Sequence, residues 1–566
     1  MTLQPPSHFS DDDALGITRR DLVRGGALGL ATSWLGGCAV STTPQRRTLP
    51  AQARVELLYY ADTLDARAPG FPVVPATRLG PAQRLGQPPW LTADSAMAMT
   101  SGPQSLLLPH QARHTPVGGH AALAAHLEGL RDTLGKARTL TLENGQCWNG
   151  SGLCHLTRGE AGLAASRMLG AEARVSSDER LLWPDQVAGL YRAFEGPVLG
   201  LLGEEPNPAS AVRPLALFDR GGARVAVVGV TDPHAADETR PLDAWYRDVE
   251  RRTREASDQA DLVIVLADCG TGAGIWLAER LAAADLLLCA RGQDFWPALV
   301  SVRQPEGRTL PVCFPGCRAA GAFQLSCSPG GQGWRVETRF HLADAGQLEG
   351  EARRLAGELQ QRLEADRAPF ANWLDTPLAW APHWLWRRDT VGGSWDAVIN
   401  DALLSQGSAD LALSPGWRHD VVLPPGSPIT RDHLVSLTGG HEARLVELET
   451  KAHDLRPLLE RASDHCFGSP SLLDTSQDLP RLRGAEWGCR YTAEVGRRIE
   501  LGDLPGTRLA TWQPGTNAGE SLWQRLEVYL GERPEGWTLP PMPTVRLAGV
   551  SGHPGWHPGQ RPGARE

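Results

Sequence analysis

The sequence predicts a layered α/β protein of two domains. Short apolar strands alternate with helical patterns from residue 54 to about 345, a charged helix without proline follows, and residues 376–550 carry strands and helices of their own. At 566 residues the chain is long enough for two separate cores.

The elements follow in order. Arg54-Val55-Glu56-Leu57-Leu58-Tyr59-Tyr60 predicts the first strand, residues 121–134 a helix, and residues 137–142 the next strand. A Gly-Gly turn leads into a buried strand over 222–230. Apolar runs at 262–266 and 286–288 predict two more strands, with a helix over 274–284 between them. Residues 344–368 place Leu348, Leu355, Leu359 and Leu363 on one helical face. The expected division is 1–50 signal and tether, 51–345 first domain, 346–375 linker helix, 376–550 second domain, and 551–566 a loose Pro/Gly/His-rich tail.

The N-terminus reads as a targeting segment. Arg19-Arg20 precedes a mild Gly- and Ala-rich apolar run, 25–40, that is too short to span a bilayer. Paired arginines before a weak apolar run predict twin-arginine export. Leu35-Gly36-Gly37-Cys38 adds a lipoprotein processing pattern, with Cys38 as the candidate lipidated residue and residues 42–50 as a tether. Membrane attachment is expected only through that anchor.

Composition excludes some roles. A hydrophobic fraction of 41% and a charged fraction of 21% are ordinary for a globular protein. A net charge of −9 supplies no basic field for nucleic acid, so no nucleic-acid partner is expected.

Several motifs stand in order along the chain: Val117-Gly118-Gly119-His120, Trp148-Asn149-Gly150-Ser151, Leu156-Thr157-Arg158-Gly159 and Gly393-Ser394-Trp395-Asp396. Ser414-Pro415-Gly416-Trp417-Arg418, Leu423-Pro424-Pro425-Gly426 and Arg490-Tyr491-Thr492 follow. Together, and in that order, they resemble the Sox-pathway thiosulfohydrolases (SoxB), a branch of the 5'-nucleotidase family. The resemblance implies a metallophosphoesterase-like four-layer α/β/β/α sandwich followed by a 5'-nucleotidase-type α+β recognition domain. It also implies two divalent metals, manganese or zinc, activating a water, which needs closely spaced carboxylates and imidazoles.

Residue by residue, the chain departs from that pattern. The family's Asp-x-His is Asp62-Thr63-Leu64, and its Gly-Asp is Gly145-Gln146. The Asn or His of the third turn is Ser177, followed by Asp178 and Glu179. The strand-end His is Asp268, and the final Gly-His-x-His is Ala290-Arg291-Gly292-Gln293. No metal cofactor is therefore expected, with Asp62 and Asp268 as the only residual ligand candidates. Arg291 instead puts a permanent cation where a dication belongs, and is expected to pair with Asp62 or Asp268.

Cys147, Cys154, Cys269 and Cys289 surround these positions, and Cys313 and Cys317 lie further on. They read as small buried apolar residues, with disulfides, a soft metal or a sulfur-bearing ligand as alternatives. In the second domain Arg418 is a candidate oxyanion fork, with a surface salt bridge as the equal alternative, and Trp417 is a candidate substrate contact beside it, whereas Trp395 belongs to the core. The expected function is an exported SoxB-like binding or accessory protein of periplasmic sulfur-compound (thiosulfate) oxidation. Its expected partner is a sulfur-carrier protein or another Sox component. The alternative is a periplasmic thiosulfohydrolase or phosphoesterase with an altered metal site, using Asp62, Asp178, Glu179 or Asp268.

Overall fold

A computed structural model describes residues 50–549 except 51, 72–78, 85–86, 91–114, 202–210, 234–240, 332, 389, 469–477, 516–518 and 544. The export segment, Cys38 and the tail 551–566 lie outside the described residues.

Two sheets form the first half. One holds β1 (Val55–Ala61), β2 (Thr139–Asn144), β3 (Ala173–Val175), β4 (Val198–Leu199) and β5 (Val212–Arg213). The other holds β6 (Leu215–Arg220), β7 (Ala223–Thr231), β8 (Leu262–Asp268), β9 (Leu286–Ala290), β10 (Val300–Arg303) and β11 (Thr309–Cys313). The hairpin β12 (Gly321–Gly330) and β13 (Gly333–Leu342) returns to the first sheet, giving the order β13-β12-β1-β2-β3-β4-β5. The second sheet runs β10-β11-β9-β8-β7-β6. β1 to β5 run parallel to one another, as do β7, β8, β9 and β11, whereas β12 joins β1, β6 joins β7 and β10 joins β11 antiparallel.

Strand alternation sets the layers. Leu57, Tyr59, Leu140 and Leu142 face Val225, Val227, Ile264, Leu266 and Leu288 between the sheets. The next residues, Leu58 and Tyr60, pack outward on Ala122, Leu123 and Leu127 of α1 (His120–Leu134). On the far side Val265, Ala267 and Leu287 meet α2 (Leu242–Gln259) through Trp245 and Val249. They also meet α3 (Gly270–Ala278) through Ile275 and Leu277. Strands covered on both faces read as unbroken apolar runs, which is why they are visible in the sequence. Each such side chain contributes about 1.5–3 kcal/mol of burial. The result is the four-layer α/β/β/α sandwich that the resemblance implies.

Two elements differ from expectation. The helix expected over 274–284 occupies Gly270–Ala278, because Gly270 (φ +81°) turns the chain directly from β8 into it. The helix over 344–368 begins only at Gly350, after a 3-10 turn at Ala345–Gln347. This helix, α4 (Gly350–Arg367), lies on α1, where Leu348 and Ala356 bury against Ala125.

The second half is built on a four-stranded sheet ordered 443–449, 508–514, 411–416, 478–483. α5 (Ser394–Leu404) packs on it through Trp395, Val398 and Ile399. Trp395 is fully buried and its indole N–H donates to Val421 O at 2.7 Å. The fold therefore matches expectation as α/β with a sandwich and an α+β second half. Among the described residues no helix is long and apolar enough to cross a membrane.

Candidate functional site

The carboxyl ends of the parallel strands converge at one edge of the sandwich, where open α/β sheets place their sites. Asp62 follows β1, Gln146 follows β2, Ser177 and Asp178 follow β3, Asp232 follows β7, Asp268 ends β8 and Arg291 follows β9. The loops there are tightly wound. Asp62, Leu64, Arg291 and Gln293 take left-handed backbone with φ of +47°, +51°, +72° and +55°. Such conformations cost about 1–3 kcal/mol each in non-glycine residues and need support from their surroundings.

The support is a set of backbone N–H groups aimed at Asp62. Those of Gln146 and Arg291 donate to Oδ1 at 3.0 and 3.1 Å, and that of Gln293 donates to Oδ2 at 3.0 Å. Burial nevertheless pushes the Asp62 carboxyl up to about 6, against those N–H groups and the nearby guanidinium.

Arg291 stands in the centre of the remaining carboxylates. Its Nη1 lies 2.7 Å from Asp178 Oδ1 and 3.5 Å from Asp268 Oδ2, and its Nε lies 2.7 Å from Asp232 Oδ2. Of the two expected partners, Asp268 pairs with the guanidinium and Asp62 does not. The short contacts go to Asp178 and Asp232, while Asp62 meets only the backbone N–H of Arg291. The left-handed turn at Arg291 sends its N–H and its side chain to different carboxylates.

The acids respond unequally. Asp178 is pushed up by burial, but Arg291 and His441 outweigh that and hold it well below the usual carboxylate range. Asp268 is fully buried, and its Oδ1 has no hydrogen-bond partner. Burial raises it to about 7; Arg291 opposes the rise, and Asp178 and Asp62 add to it. One carboxyl of the cluster can thus hold a proton near neutrality, beside another that stays ionised.

The neutral residues bind the cluster together. Gln146 Nε2 donates to Asp178 Oδ2 at 2.7 Å, and Gln293 Nε2 donates to Gln146 Oε1 at 3.2 Å. Ser177 is fully buried with its hydroxyl beside Asp268. Leu64 is buried where its Cα and Cβ close off Gly150.

The second half closes the site with two histidines. His441 Nε2 lies 2.9 Å from Asp178 Oδ2, and His419 Nδ1 lies 3.1 Å from Gln293 Nε2. Burial, helped by His441, pulls His419 down to about 3, so its imidazole is neutral. Half-buried Trp417 sets its ring edge-on to both, with centroids 5.7 and 5.9 Å away.

Two further expectations change. Arg418 is not open to an anion: Nη2 meets Asp294 Oδ1 and Nη1 meets Asp478 Oδ1, both at 2.7 Å, with the side chain 4% exposed. Buried carboxylates from both halves claim its fork. Glu179, offered for the hydrolase alternative, is sequestered as well. Its Oε1 accepts from Arg174 Nη1 at 2.7 Å, from Tyr191 OH at 2.7 Å and from the Ser177 N–H at 3.0 Å. Arg174 lies 3.7 Å over the Trp148 ring and pairs with Glu143 as well, which ties Glu179 into a structural network.

The six cysteines singled out are buried free thiols, and Cys313 and Cys317 do not pair across the Pro315-Gly316 turn. Sequence reading missed Asp232, His419 and His441. Asp232 had a signal, an acid just past the end of an apolar strand run. The histidines had only proximity to Arg418 and a Gly439-Gly440 turn. Among the described residues no group of three or more His, Cys, Asp or Glu side chains is arranged to hold a metal ion.

Comparison with known proteins yields no matching family model and no matching curated relative. Solved structures do match. The chain is similar to a Thermus thermophilus sulfate thiohydrolase, SoxB, with TM-score 0.75 and 23% identity over 89% of this chain and 98% of that one. It is also similar to a 5'-nucleotidase precursor from Thermus thermophilus, with TM-score 0.65 and 17% identity over 87% and 99% of the two chains. A putative 5'-nucleotidase from Staphylococcus aureus aligns with TM-score 0.51 and 12% identity over 88% and 100%. These likenesses establish a shared two-part fold over nearly the whole of each neighbour.

Proposed function

We propose that this is an exported SoxB-like protein of periplasmic sulfur-compound (thiosulfate) oxidation, acting as a binding or accessory protein rather than a dinuclear-metal hydrolase. The observation that carries the reading is Arg291 among Asp178, Asp232 and Asp268. Two adjacent dications repel and need anionic ligands free to face them. Here a guanidinium already neutralises those carboxylates, backbone N–H groups take both oxygens of Asp62, and Gln146 and Gln293 are neutral. The residues present do not fit a metal pair.

The sulfur assignment draws support from the likeness to the Thermus thermophilus SoxB, and the partner would be a sulfur-carrier protein or another Sox component. Metal analysis of the purified protein is expected to find fewer than two bound divalent ions per chain. Phosphate esters and protein-bound thiosulfonate are expected to turn over at background rates. Two manganese or zinc ions per chain with metal-dependent turnover would replace this reading with the hydrolase alternative.

Export rests on Arg19-Arg20 and on the weak apolar run that follows. Replacing both arginines with Lys is expected to leave the protein in the cytoplasm, as read by cell fractionation. Periplasmic accumulation at the wild-type level would overturn the export assignment. Fatty-acid labelling with and without Cys38→Ala reads the lipid anchor independently.

A further inference from the structure

One short segment belongs to the cores of both halves. Leu79 lies between β1 and α1 in the chain, yet it is fully buried in the second half among Leu411, Leu413, Leu479 and Leu482. Its backbone N–H donates to Thr390 Oγ1 at 3.2 Å, and the Tyr491 hydroxyl donates to Gly80 O at 3.0 Å. Trp90, further along the same segment, is buried in the first half with Val230, Trp245 and Leu281. Between them Arg84 pairs with Glu279 at the end of α3. The two anchors brace each other, because a Cβ on Gly80 would stand only 2.2 Å from the Trp90 ring.

Buried charge joins the halves at a second place. Asp294 follows β9, and its Oδ1 accepts from Arg388 Nη2 and Arg418 Nη2, both at 2.7 Å. Its Oδ2 accepts from the Thr271 hydroxyl. The side chains of Asp294 and Arg388 are 1% exposed and that of Arg418 is 4% exposed. The two ties act differently when the halves part. Freed charges regain hydration, so an ion pair by itself is a weak joint, although its bond directions fix one orientation. Leu79 gains nothing from water, and parting would expose its whole side chain. The apolar anchor therefore resists separation, and Asp294 sets the angle.

We infer that the segment bearing Leu79 and Trp90 is a strap that, together with Asp294, holds the two halves at one fixed orientation. The cleft then neither opens nor closes by rotation of one half on the other. His441 and His419 are standing members of the site, not groups carried in from a second orientation. This goes beyond the binding role proposed above and holds whatever the site binds.

The test uses the full chain with dyes at two exposed positions, Asp258→Cys in the first half and Arg456→Cys in the second, in a Cys38→Ala background. The other described cysteines are buried. Single-molecule energy transfer is expected to give one narrow population. Leu79→Ser is expected to raise the share of molecules at other distances about tenfold or more. Asp294→Asn should broaden the distribution, and Gly80→Ala, which displaces the Trp90 ring without touching the second half, should act in the same direction as Leu79→Ser. Two or more populations in the wild type would overturn the inference. So would an unchanged single population in Gly80→Ala and Asp294→Asn while their melting temperatures fall, since those residues would then serve packing alone. Gly80→Ala and Asp294→Asn keep the test decisive where Leu79→Ser does not fold.

Discussion

Arg291→Ala is expected to lose about 3–5 kcal/mol of folding stability near neutral pH, as found when one partner of a buried ion pair is removed. The guanidinium side chain is 20% exposed, whereas Asp178, Asp232 and Asp268 are 3%, 6% and 0% exposed. Removing the cation leaves those carboxylates facing one another with little solvent. Residual exposure of Arg291 places the expected loss toward the lower end of the range. Adding Asp178→Asn and Asp232→Asn should restore part of it, because groups in one network couple. Asp62→Asn should restore little, since backbone N–H groups rather than the guanidinium hold Asp62. Chemical denaturation of these variants measures each step. A loss below about 1 kcal/mol for Arg291→Ala would class the contacts with solvent-screened surface pairs.

The second large effect is a pH dependence centred on Asp268. Its folded value of about 7 lies above the ordinary 3.8, so the native state holds this proton to higher pH than the unfolded chain does. The resulting stability is fully present below the unfolded value and is lost as pH rises through about 7. Asp62, raised to about 6, adds a contribution of the same sign that is lost lower on the scale. Asp178 has the opposite sign. Its depressed carboxyl stabilises above the unfolded value, and that contribution disappears as pH falls through the folded one.

Asp268→Asn removes the alkaline loss. At pH 8 the variant is expected to be more stable than wild type, by at most on the order of 4 kcal/mol. The difference should shrink toward pH 5, where Asp268 is protonated in the wild type. Denaturation at pH 5, 6.5 and 8 reads this directly. Parallel pH profiles for the two proteins would mean that Asp268 stays ionised against Arg291.

The sandwich was legible because its strands are buried on both faces and therefore appear as uninterrupted apolar runs at 225–230, 262–266 and 286–288. The site positions were legible through the family resemblance, whose motifs mark them residue by residue, and the structure puts them at or just past strand ends. Asp62, Gln146, Ser177, Asp268, Arg291 and Gln293 all lie at one edge of the sandwich. Which carboxylate meets which donor was not legible. A left-handed turn at Arg291 separates its N–H from its side chain, and no residue pattern specifies that geometry.

Composition and strand pattern determined the α/β class and the two-part organisation, and the family resemblance marked Arg291 as a cation among acids. The tertiary structure decided the rest, because ion pairing depends on distances of a few ångströms between residues far apart in the chain. Asp178 and Arg291 are 113 positions apart, and Asp178 and His441 are 263 apart. Arg418 had the residue type and the neighbours of an anion fork. Only packing against Asp294 and Asp478 revealed that its charge is already engaged.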